Sequence, residues 1–264
     1  MEIFVAVIAG LIIGSFLNVC IFRLPRDLSV VTPARSFCPG CEETIAAIDN
    51  IPLLSFILLR GRCRHCDERI PWRYPLVELA TAVCFAVVVS QLGFTLAALK
   101  WCVFSAILVD LIATDYEVQI LPDEFTLGGT VIGLAFSPFV AMEPFIPTMM
   151  VGSGVSQRWQ WFAESATGAG AFAFLLWFLG WAYQKIRKRE GMGLGDVKMV
   201  MMLGAFFGIP LTLLTILLSS LTGAIFGLVH SRFIGQETAT YELPFGSFMG
   251  LAALVVAFGA QVFN

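Results

Sequence analysis

The strongest constraint on this chain is a series of eight apolar runs, most of them long enough to cross a lipid bilayer as helices. A helix needs about 20 apolar residues to cross a hydrocarbon core about 30 Å thick. The sixth run is short, and Gly208-Ile209-Pro210 predicts a turn at the membrane surface between it and the seventh. We therefore expect eight spans, with seven as the alternative. The runs cover residues 3–22, 76–92, 96–114, 126–142, 167–183, 197–207, 211–229 and 246–263.

The composition agrees with a membrane protein. Hydrophobic residues make up 58% of the chain and charged residues 13%, whereas a soluble domain has about 45–50% and about 25%. These values exclude a water-soluble globule, a disordered chain and a small disulfide-rich secreted protein. The net charge of −3 provides no basic field for nucleic acid, so we expect none as a partner. The predicted fold class is all-α, a polytopic helical bundle in a lipid bilayer.

Basic residues predict the orientation in the membrane. Eight spans place the segment after the first run and the segment after the fifth run on the same side, and the positive-inside rule makes that side the cytoplasm. Both termini then lie on the opposite side. The first run lacks a basic n-region and an Ala-x-Ala cleavage site, which favours a retained anchor over a signal peptide. The basic residues are Arg23, Arg26, Arg35, Arg60, Arg62, Arg64, Arg69 and Arg73 in the first segment, and Lys185, Arg187, Lys188 and Arg189 in the second.

The one long polar stretch, residues 23–75, contains two CxxC motifs. Cys38 and Cys41 form the first, and Cys63 and Cys66 form the second after 21 intervening residues. This spacing is typical of tetrahedral thiolate coordination of Zn²⁺. Two redox pairs or a structural disulfide are the alternatives, and a reducing cytosol disfavours the disulfide. Because four cysteines leave no open coordination position, we expect the zinc to be structural.

Acidic side chains inside or at the ends of membrane spans are expensive and often functional. Asp115 and Asp196 lie 81 positions apart in sequence, yet the predicted topology puts both near the cytoplasmic face. Asp110 falls on a different face of its helix and is a candidate for a proton path. Glu78 is a candidate for a structural role or a second site.

Asp115 and Asp196 suggest a specific chemistry. When two carboxyl groups share a site, one ionises less readily than the other, so the ionised group can activate water while the protonated one polarises a scissile carbonyl. Gly193 and Gly195 would let a substrate backbone or a neighbouring helix approach closely. In the alternative, Asp196 is a helix N-cap and Asp115 a solvated residue at a span end. The residues alone leave both interpretations open.

Two other classes of protein explain part of the pattern. A transporter also carries intramembrane acids, but it predicts internally repeated halves, and no convincing repeat relates residues 76–142 to residues 167–263. A membrane scaffold with a zinc loop explains the cysteines and leaves the two aspartates without a purpose.

Motifs in order along nearly the whole chain resemble those of the bacterial type IV prepilin peptidases. The resemblance rests on the order and spacing of all the motifs together, since each motif alone is a weak signal. They are Gly14-Ser15-Phe16-Leu17-Asn18-Val19, Arg23-Leu24-Pro25, the two CxxC motifs flanking Asp49-Asn50-Ile51-Pro52-Leu53-Leu54-Ser55, Arg73-Tyr74-Pro75-Leu76-Val77-Glu78, Asp115 eight positions before Asp123, Gly191-Met192-Gly193-Leu194-Gly195-Asp196-Val197-Lys198, and Leu243-Pro244-Phe245-Gly246.

The resemblance implies a bifunctional enzyme of the bacterial inner membrane. It implies that Asp115 and Asp196 form the catalytic pair of a GxGD-type aspartyl peptidase, supported by Gly193, Gly195 and Lys198. Such enzymes remove the basic leader of prepilins and pseudopilins at the cytoplasmic membrane face, then methylate the new N-terminal residue with S-adenosylmethionine. The expected organisation is a first transmembrane helix (1–22), a cytoplasmic zinc-binding domain associated with the methyltransferase (23–75) and a membrane peptidase domain (76–264).

Overall fold

A computed structural model describes residues 1–33, 35–142, 145, 156–188, 193–234 and 244–259. Within this part of the chain the regular structure is helical, and extended pairing is limited to the isolated bridges Phe37–Thr44 and Arg62–Arg69. This confirms the predicted all-α class. The contacts divide the chain into two compact units, Met1–Thr114 and Asp115–Asn264.

Among the described residues, the first unit contains three long helices and the polar loop, which joins the first two of these helices. The long helices are α1 (Glu2–Arg23), α3 (Arg73–Leu92) and α4 (Leu96–Val118), of which α4 has its last turn in the second unit. The loop includes the short helix α2 (Leu54–Leu58) and two 3₁₀ turns, Leu24–Arg26 and Ala47–Asn50.

Close backbone approach holds α1 against α3 in an antiparallel pair. A Cβ on Gly10 would lie 2.6 Å from Ala82 Cα, and one on Gly14 would lie 2.7 Å from Glu78 Cα. One turn further along, the Asn18 side chain donates a hydrogen bond of 3.0 Å to the Tyr74 carbonyl oxygen. Small residues spaced four apart permit this approach, as is common between membrane helices.

The second unit begins with the last turn of α4 and contains four further helices. These are α5 (Asp123–Phe136), α6 (Gln157–Arg187), α7 (Leu194–Ile234) and α8 (Phe245–Gly259). Helix α7 is interrupted at Gly208, whose φ of 69° and ψ of −165° are not helical.

The chain reverses direction at Gly208. A straight helix would separate Gly195 from Phe226 by about 46 Å at 1.5 Å per residue. Instead, a Cβ on Gly195 would lie 3.3 Å from Leu121, and one on Gly246 would lie 3.0 Å from the same leucine. The Phe226 ring is 5.3 Å from the ring of Phe248, two residues after Gly246. The start of the first arm of α7 and the end of its second arm therefore lie at the same level of the bundle. This agrees with the turn predicted at Gly208-Ile209-Pro210.

A buried carboxylate satisfies backbone groups at this reversal. Glu164 of α6 is fully buried, and its Oε1 accepts a hydrogen bond of 2.9 Å from the Ile209 N–H. Its Oε2 accepts one of 3.0 Å from the Phe145 N–H. Unpaired N–H groups in a membrane cost several kcal/mol each, so Glu164 stabilises the break. Sequence reasoning missed this residue because the predicted span began at residue 167, whereas α6 begins at Gln157.

The helices match the predicted runs with shifted ends. Five described helices have the length and composition to cross a membrane, and Phe245–Gly259 is a shorter apolar helix. Counting the two arms of α7 separately, eight apolar helical segments correspond to the eight runs. The run at 126–142 ends early, at Phe136, because Pro138 has no N–H to continue the helix. Residues 260–263 of the last run lie outside the described residues.

Candidate active site and metal centre

Asp115 lies in the last turn of α4 and is only 5% exposed. Its Oδ2 accepts hydrogen bonds of 2.5 Å from the Ser247 N–H and 2.8 Å from the Ser247 hydroxyl. Ser247 is the third residue of α8, where backbone N–H groups have no partner within the helix. The start of α8 thus holds the Asp115 carboxylate through the Ser247 N–H, which also donates to the Pro244 carbonyl oxygen at 3.1 Å, and through the Ser247 hydroxyl, at the positive end of a helix dipole.

Asp196 occupies the first turn of α7 and interacts electrostatically with Asp115. Leu121 connects the surroundings of the two acids, because Gly195 and Gly246 pack against it from two helices. The second unit therefore brings together two side chains that lie 81 positions apart in sequence. Asp115 accepts two bonds from Ser247, whereas Asp196 sits at a helix start beside glycines. Two carboxyl groups in different surroundings are what acid–base catalysis by a pair requires.

The residues expected to support the pair have distinct surroundings. Lys198 Nζ forms an ion pair with Asp123, at 2.7 Å from Oδ1 and 2.9 Å from Oδ2, which ties the start of α7 to the start of α5. A Cβ on Gly193 would lie 3.9 Å from Asp196 Oδ2, so this glycine is adjacent to the carboxyl group. Gly191, Met192 and Leu243 of the quoted motifs lie outside the described residues.

The other two acidic candidates belong to the first unit. Asp110 is fully buried in α4, and its Oδ2 accepts a long hydrogen bond of 3.4 Å from the Thr114 hydroxyl. Glu78 is 8% exposed in α3 and accepts a hydrogen bond of 2.8 Å from the Leu53 N–H of the polar loop. Sequence reasoning missed Ser247 altogether, although it directly follows the Leu243-Pro244-Phe245-Gly246 motif.

Gly246 provides a sensitive test of the Asp115 geometry. A Cβ at this position would lie 2.9 Å from Asp115 Cγ, too close for two carbon atoms, so Gly246→Ala must displace the carboxylate. Because misplacing a catalytic group by about 1 Å can cost about 100-fold in rate, we expect peptide cleavage to fall at least tenfold. The matched control is Gly128→Ala in α5, where a Cβ meets nothing within 4 Å. Initial cleavage rates of the two purified variants check this, and equal rates would contradict the placement of Asp115.

The four cysteines of the polar loop form a compact cluster. The Sγ atoms of Cys38, Cys41, Cys63 and Cys66 lie within 4.8 Å of one another, and those of Cys38 and Cys66 are 3.7 Å apart. Tetrahedral coordination with metal–sulfur bonds of about 2.3 Å gives sulfur–sulfur distances of about 3.8 Å, whereas a disulfide needs about 2.05 Å. All four thiols are free. This group of ligands can hold a metal such as zinc.

The two CxxC motifs have the same local structure. The Cys38 N–H donates to the Glu43 carbonyl oxygen, and the Cys63 N–H donates to the Glu68 carbonyl oxygen. The residue after each second cysteine has a positive φ, 59° at Glu42 and 61° at Asp67. Each motif therefore folds as a tight turn that presents two thiols on one side, as in paired zinc knuckles.

Backbone and charged groups support the second turn. The N–H groups of Cys66 and His65 lower the pKa of the Cys63 thiol to about 6, which favours the thiolate form that binds metals. Arg64, between the two cysteines, donates a hydrogen bond of 2.7 Å from Nε to Asp49, and this contact lowers the pKa of the Asp49 carboxyl group. The pair connects the turn to the segment that leads to α2.

Comparisons with known proteins cover both units. Residues 8–92 match the bacterial peptidase A24 N-terminal domain, and residues 102–228 match the type IV leader peptidase family. No solved structure matches the chain significantly.

Curated relatives extend over most of the chain. A protein named prepilin leader peptidase/N-methyltransferase from Aeromonas salmonicida is 37% identical, with 93% of this chain and 87% of the relative covered. Proteins of the same name from Pseudomonas putida and Pseudomonas aeruginosa are each 33% identical, over 98% and 97% of this chain and 91% and 90% of the relatives. On these matches, in order and across nearly its full length, the chain belongs to the type IV leader peptidase family.

Proposed function

We propose that Asp115 and Asp196 carry out the peptide hydrolysis by which this chain removes the leader of prepilins. The family makes the chain an aspartic prepilin peptidase with N-methyltransferase activity. The observation that supports the assignment is the pair itself: two carboxyl groups in one unit, one of them held by the start of α8. Gly193 lies next to the Asp196 carboxyl group and leaves room there for a substrate backbone, whereas Gly195 packs against Leu121.

The two acids have complementary roles in this proposal. The N–H and the hydroxyl of Ser247 each donate a hydrogen bond to Asp115 Oδ2, which suits a carboxylate that acts as the base toward a water molecule. Asp196, in its protonated form, donates to the oxygen of the scissile carbonyl group. Water attacks the carbonyl carbon and its proton passes to Asp115, while the proton of Asp196 passes to the carbonyl oxygen, which gives a tetrahedral diol. Asp115 then passes its proton to the amide nitrogen, the peptide bond breaks, and one diol hydroxyl returns its proton to Asp196, with no covalent intermediate.

The distribution of Lys and Arg residues indicates which side of the membrane each loop and terminus faces. This multi-pass protein carries its basic clusters in residues 23–73 and 185–189, which places the polar loop in the cytoplasm by the positive-inside rule. Both termini then face the periplasm. Asp115 and Asp196 lie at span ends near the cytoplasmic face of the inner membrane, where the basic leader of a prepilin or pseudopilin remains after its apolar segment has entered the bilayer.

The metal and the methyl donor belong to the cytoplasmic part in this proposal. Zinc bound by Cys38, Cys41, Cys63 and Cys66 holds residues 23–75 in their fold, and the donor geometry of the four thiols supports this. S-adenosylmethionine supplies the methyl group. Residues 1–22, 23–75 and 76–264 remain the proposed division into anchor, zinc-binding domain and peptidase domain.

A single assay tests both activities. Purified protein in detergent is incubated with a prepilin, first alone and then with S-adenosylmethionine, and the product is analysed by mass spectrometry. We expect loss of the leader in the first reaction and the added mass of one methyl group on the mature chain in the second. A transporter or a scaffold would leave the prepilin intact. Cleavage without methylation would retain the peptidase and remove the methyltransferase assignment.

A further inference from the structure

The interface between α1 and α3 contains a buried acceptor without a partner. Asn18 is 2% exposed, and its amide nitrogen donates to the carbonyl oxygens of Gly14 at 3.3 Å and Tyr74 at 3.0 Å. These bonds fix the orientation of the amide, so the other end is the oxygen. Among the described residues, Asn18 Oδ1 has no hydrogen-bond partner. A buried unpaired acceptor is destabilising, so a hydrogen-bond donor is needed at this oxygen.

Glu78 lies one helical turn from Asn18 along the α1–α3 pair. Tyr74 precedes Glu78 by one turn of α3, and Gly14 precedes Asn18 by one turn of α1, while Gly14 packs directly on Glu78. A helical turn rises about 5.4 Å, a separation that two acceptors can have when each lies about 2.7–3.2 Å from one nitrogen donor. Glu78 is also buried, at 8% exposed.

The polar loop contacts Glu78 from outside the α1–α3 pair. The Leu53 N–H donates a hydrogen bond of 2.8 Å to Glu78 Oε2, and the Ser15 hydroxyl also bonds to the carboxyl group. Leu53 has a φ of 57° and directly precedes α2, between the two cysteine turns. The metal-binding loop thus places its own backbone on Glu78.

The chemistry of these groups selects a cation with several N–H donors. A carboxylate has about four lone-pair positions and an amide oxygen has two, and the Leu53 N–H and the Ser15 hydroxyl occupy two of the carboxylate positions. If Glu78 served only to hold the polar loop against α3, its charge would be unnecessary, since an amide oxygen also accepts a hydrogen bond from an N–H. A buried carboxylate is costly in a membrane protein unless it has a charged partner. A primary ammonium group offers three donors and one positive charge.

We propose that Asn18 and Glu78 bind a primary ammonium group in the first unit. This inference rests on the proposed function, because the methyl-transfer reaction supplies two such groups. One is the α-amino group of the mature pilin after leader removal, and the other is the amino group of the methionyl part of S-adenosylmethionine. Because the Leu53 N–H donates to Glu78, the polar loop contributes to the same site.

Binding measurements on the full-length protein in lipid nanodiscs distinguish these sources. One probe is a peptide with the mature pilin N-terminus, compared with its N-acetylated form. The other is S-adenosylhomocysteine, compared with 5′-methylthioadenosine, which lacks the amino acid part. The variant is Glu78→Gln, which retains an oxygen for the Leu53 N–H but not the charge. The matched control is Glu2→Gln, an exposed acid at the far end of α1.

We expect Glu78→Gln to weaken the binding of one probe at least tenfold, because a hydrogen bond to a charged group is stronger than one to a neutral group. Loss of affinity for the free peptide but not the acetylated one identifies the pilin amine as the ligand. Loss for S-adenosylhomocysteine but not methylthioadenosine identifies the methionyl amine. Glu2→Gln retains wild-type affinity for both. Asn18→Ala, which removes Oδ1, should show the same selective loss if Glu78→Gln does not fold.

Two results would overturn the site. In the first, Glu78→Gln and Asn18→Ala bind both probes as wild type does, and Glu78 then only ties the loop to α3. In the second, wild-type protein removes leaders but binds neither probe, which overturns the ammonium site while the peptidase proposal stands. A wild-type protein that binds an amine probe but leaves prepilins uncut contradicts the proposed function and not this site.

Discussion

Asp115→Asn and Asp196→Asn will each abolish leader removal while leaving the protein folded. Asparagine has nearly the shape of aspartate but can neither accept the proton of a water molecule nor supply one to a leaving group. General acid–base catalysis contributes about 100- to 10,000-fold to a rate, so we expect at least a 100-fold loss for each variant. Cleavage of a prepilin, measured by gel and mass spectrometry over a time course, checks this.

The matched control for the aspartates is Glu117→Gln. Glu117 is an exposed acid on the same helix, two residues after Asp115, and it receives the same acid-to-amide change. We expect its cleavage rate to stay within about twofold of wild type, since exposed substitutions usually shift stability by less than about 0.5 kcal/mol. Size-exclusion profiles and thermal unfolding should show that all three variants are folded. A variant at Asp115 or Asp196 that still cleaves would contradict the pair and direct attention to Asp110 and Glu78.

Cys38→Ser will remove the metal and unfold the polar loop, the second large effect that we expect. Structural zinc contributes about 10–16 kcal/mol to the folding of small metal-binding domains, and the described part of the loop has only the short helix α2 and two 3₁₀ turns besides its cysteine turns. Metal content by mass spectrometry should fall from about one zinc per chain to near zero. Limited proteolysis should then cut within residues 27–72, which the wild-type protein protects.

Cys102→Ser is the control for this experiment. Cys102 is a free, buried cysteine in α4, away from the four-cysteine cluster, so the change removes one thiol without touching the ligands. It should retain its zinc and its resistance to protease. Full zinc content in Cys38→Ser would show that this residue is not a ligand, and resistance to protease in a zinc-free protein would show that the loop folds without metal.

The membrane helices were the most predictable part of the structure. Hydrophobic runs such as 3–22 and 96–114 correspond to Glu2–Arg23 and Leu96–Val118, because the length needed to cross a bilayer is a local property of the chain. The reversal at Gly208 was also readable, since glycine and proline stand together there. Helix ends were less predictable, because polar residues such as Glu164 continue a helix when tertiary contacts satisfy them.

The metal cluster was predictable for a similar reason. Each CxxC motif folds as a tight turn of its own, so spacing alone places two thiols side by side, and only the meeting of the two turns depends on the rest of the loop. The contact between Arg64 and Asp49, which helps to hold one turn in place, had no signal beyond the proximity of opposite charges in a polar segment.

The sequence by itself predicted the apolar helical segments, the cysteine cluster and the chemical types of the candidate catalytic residues, because all of these depend on short stretches of chain. Only the tertiary structure decided that Asp115 meets Ser247 and lies beside Asp196, and that Glu78 receives the Leu53 N–H from the polar loop. These contacts join residues 25 to 132 positions apart. They depend on how whole helices pack, and small residues such as Gly246 control that packing through the space they leave.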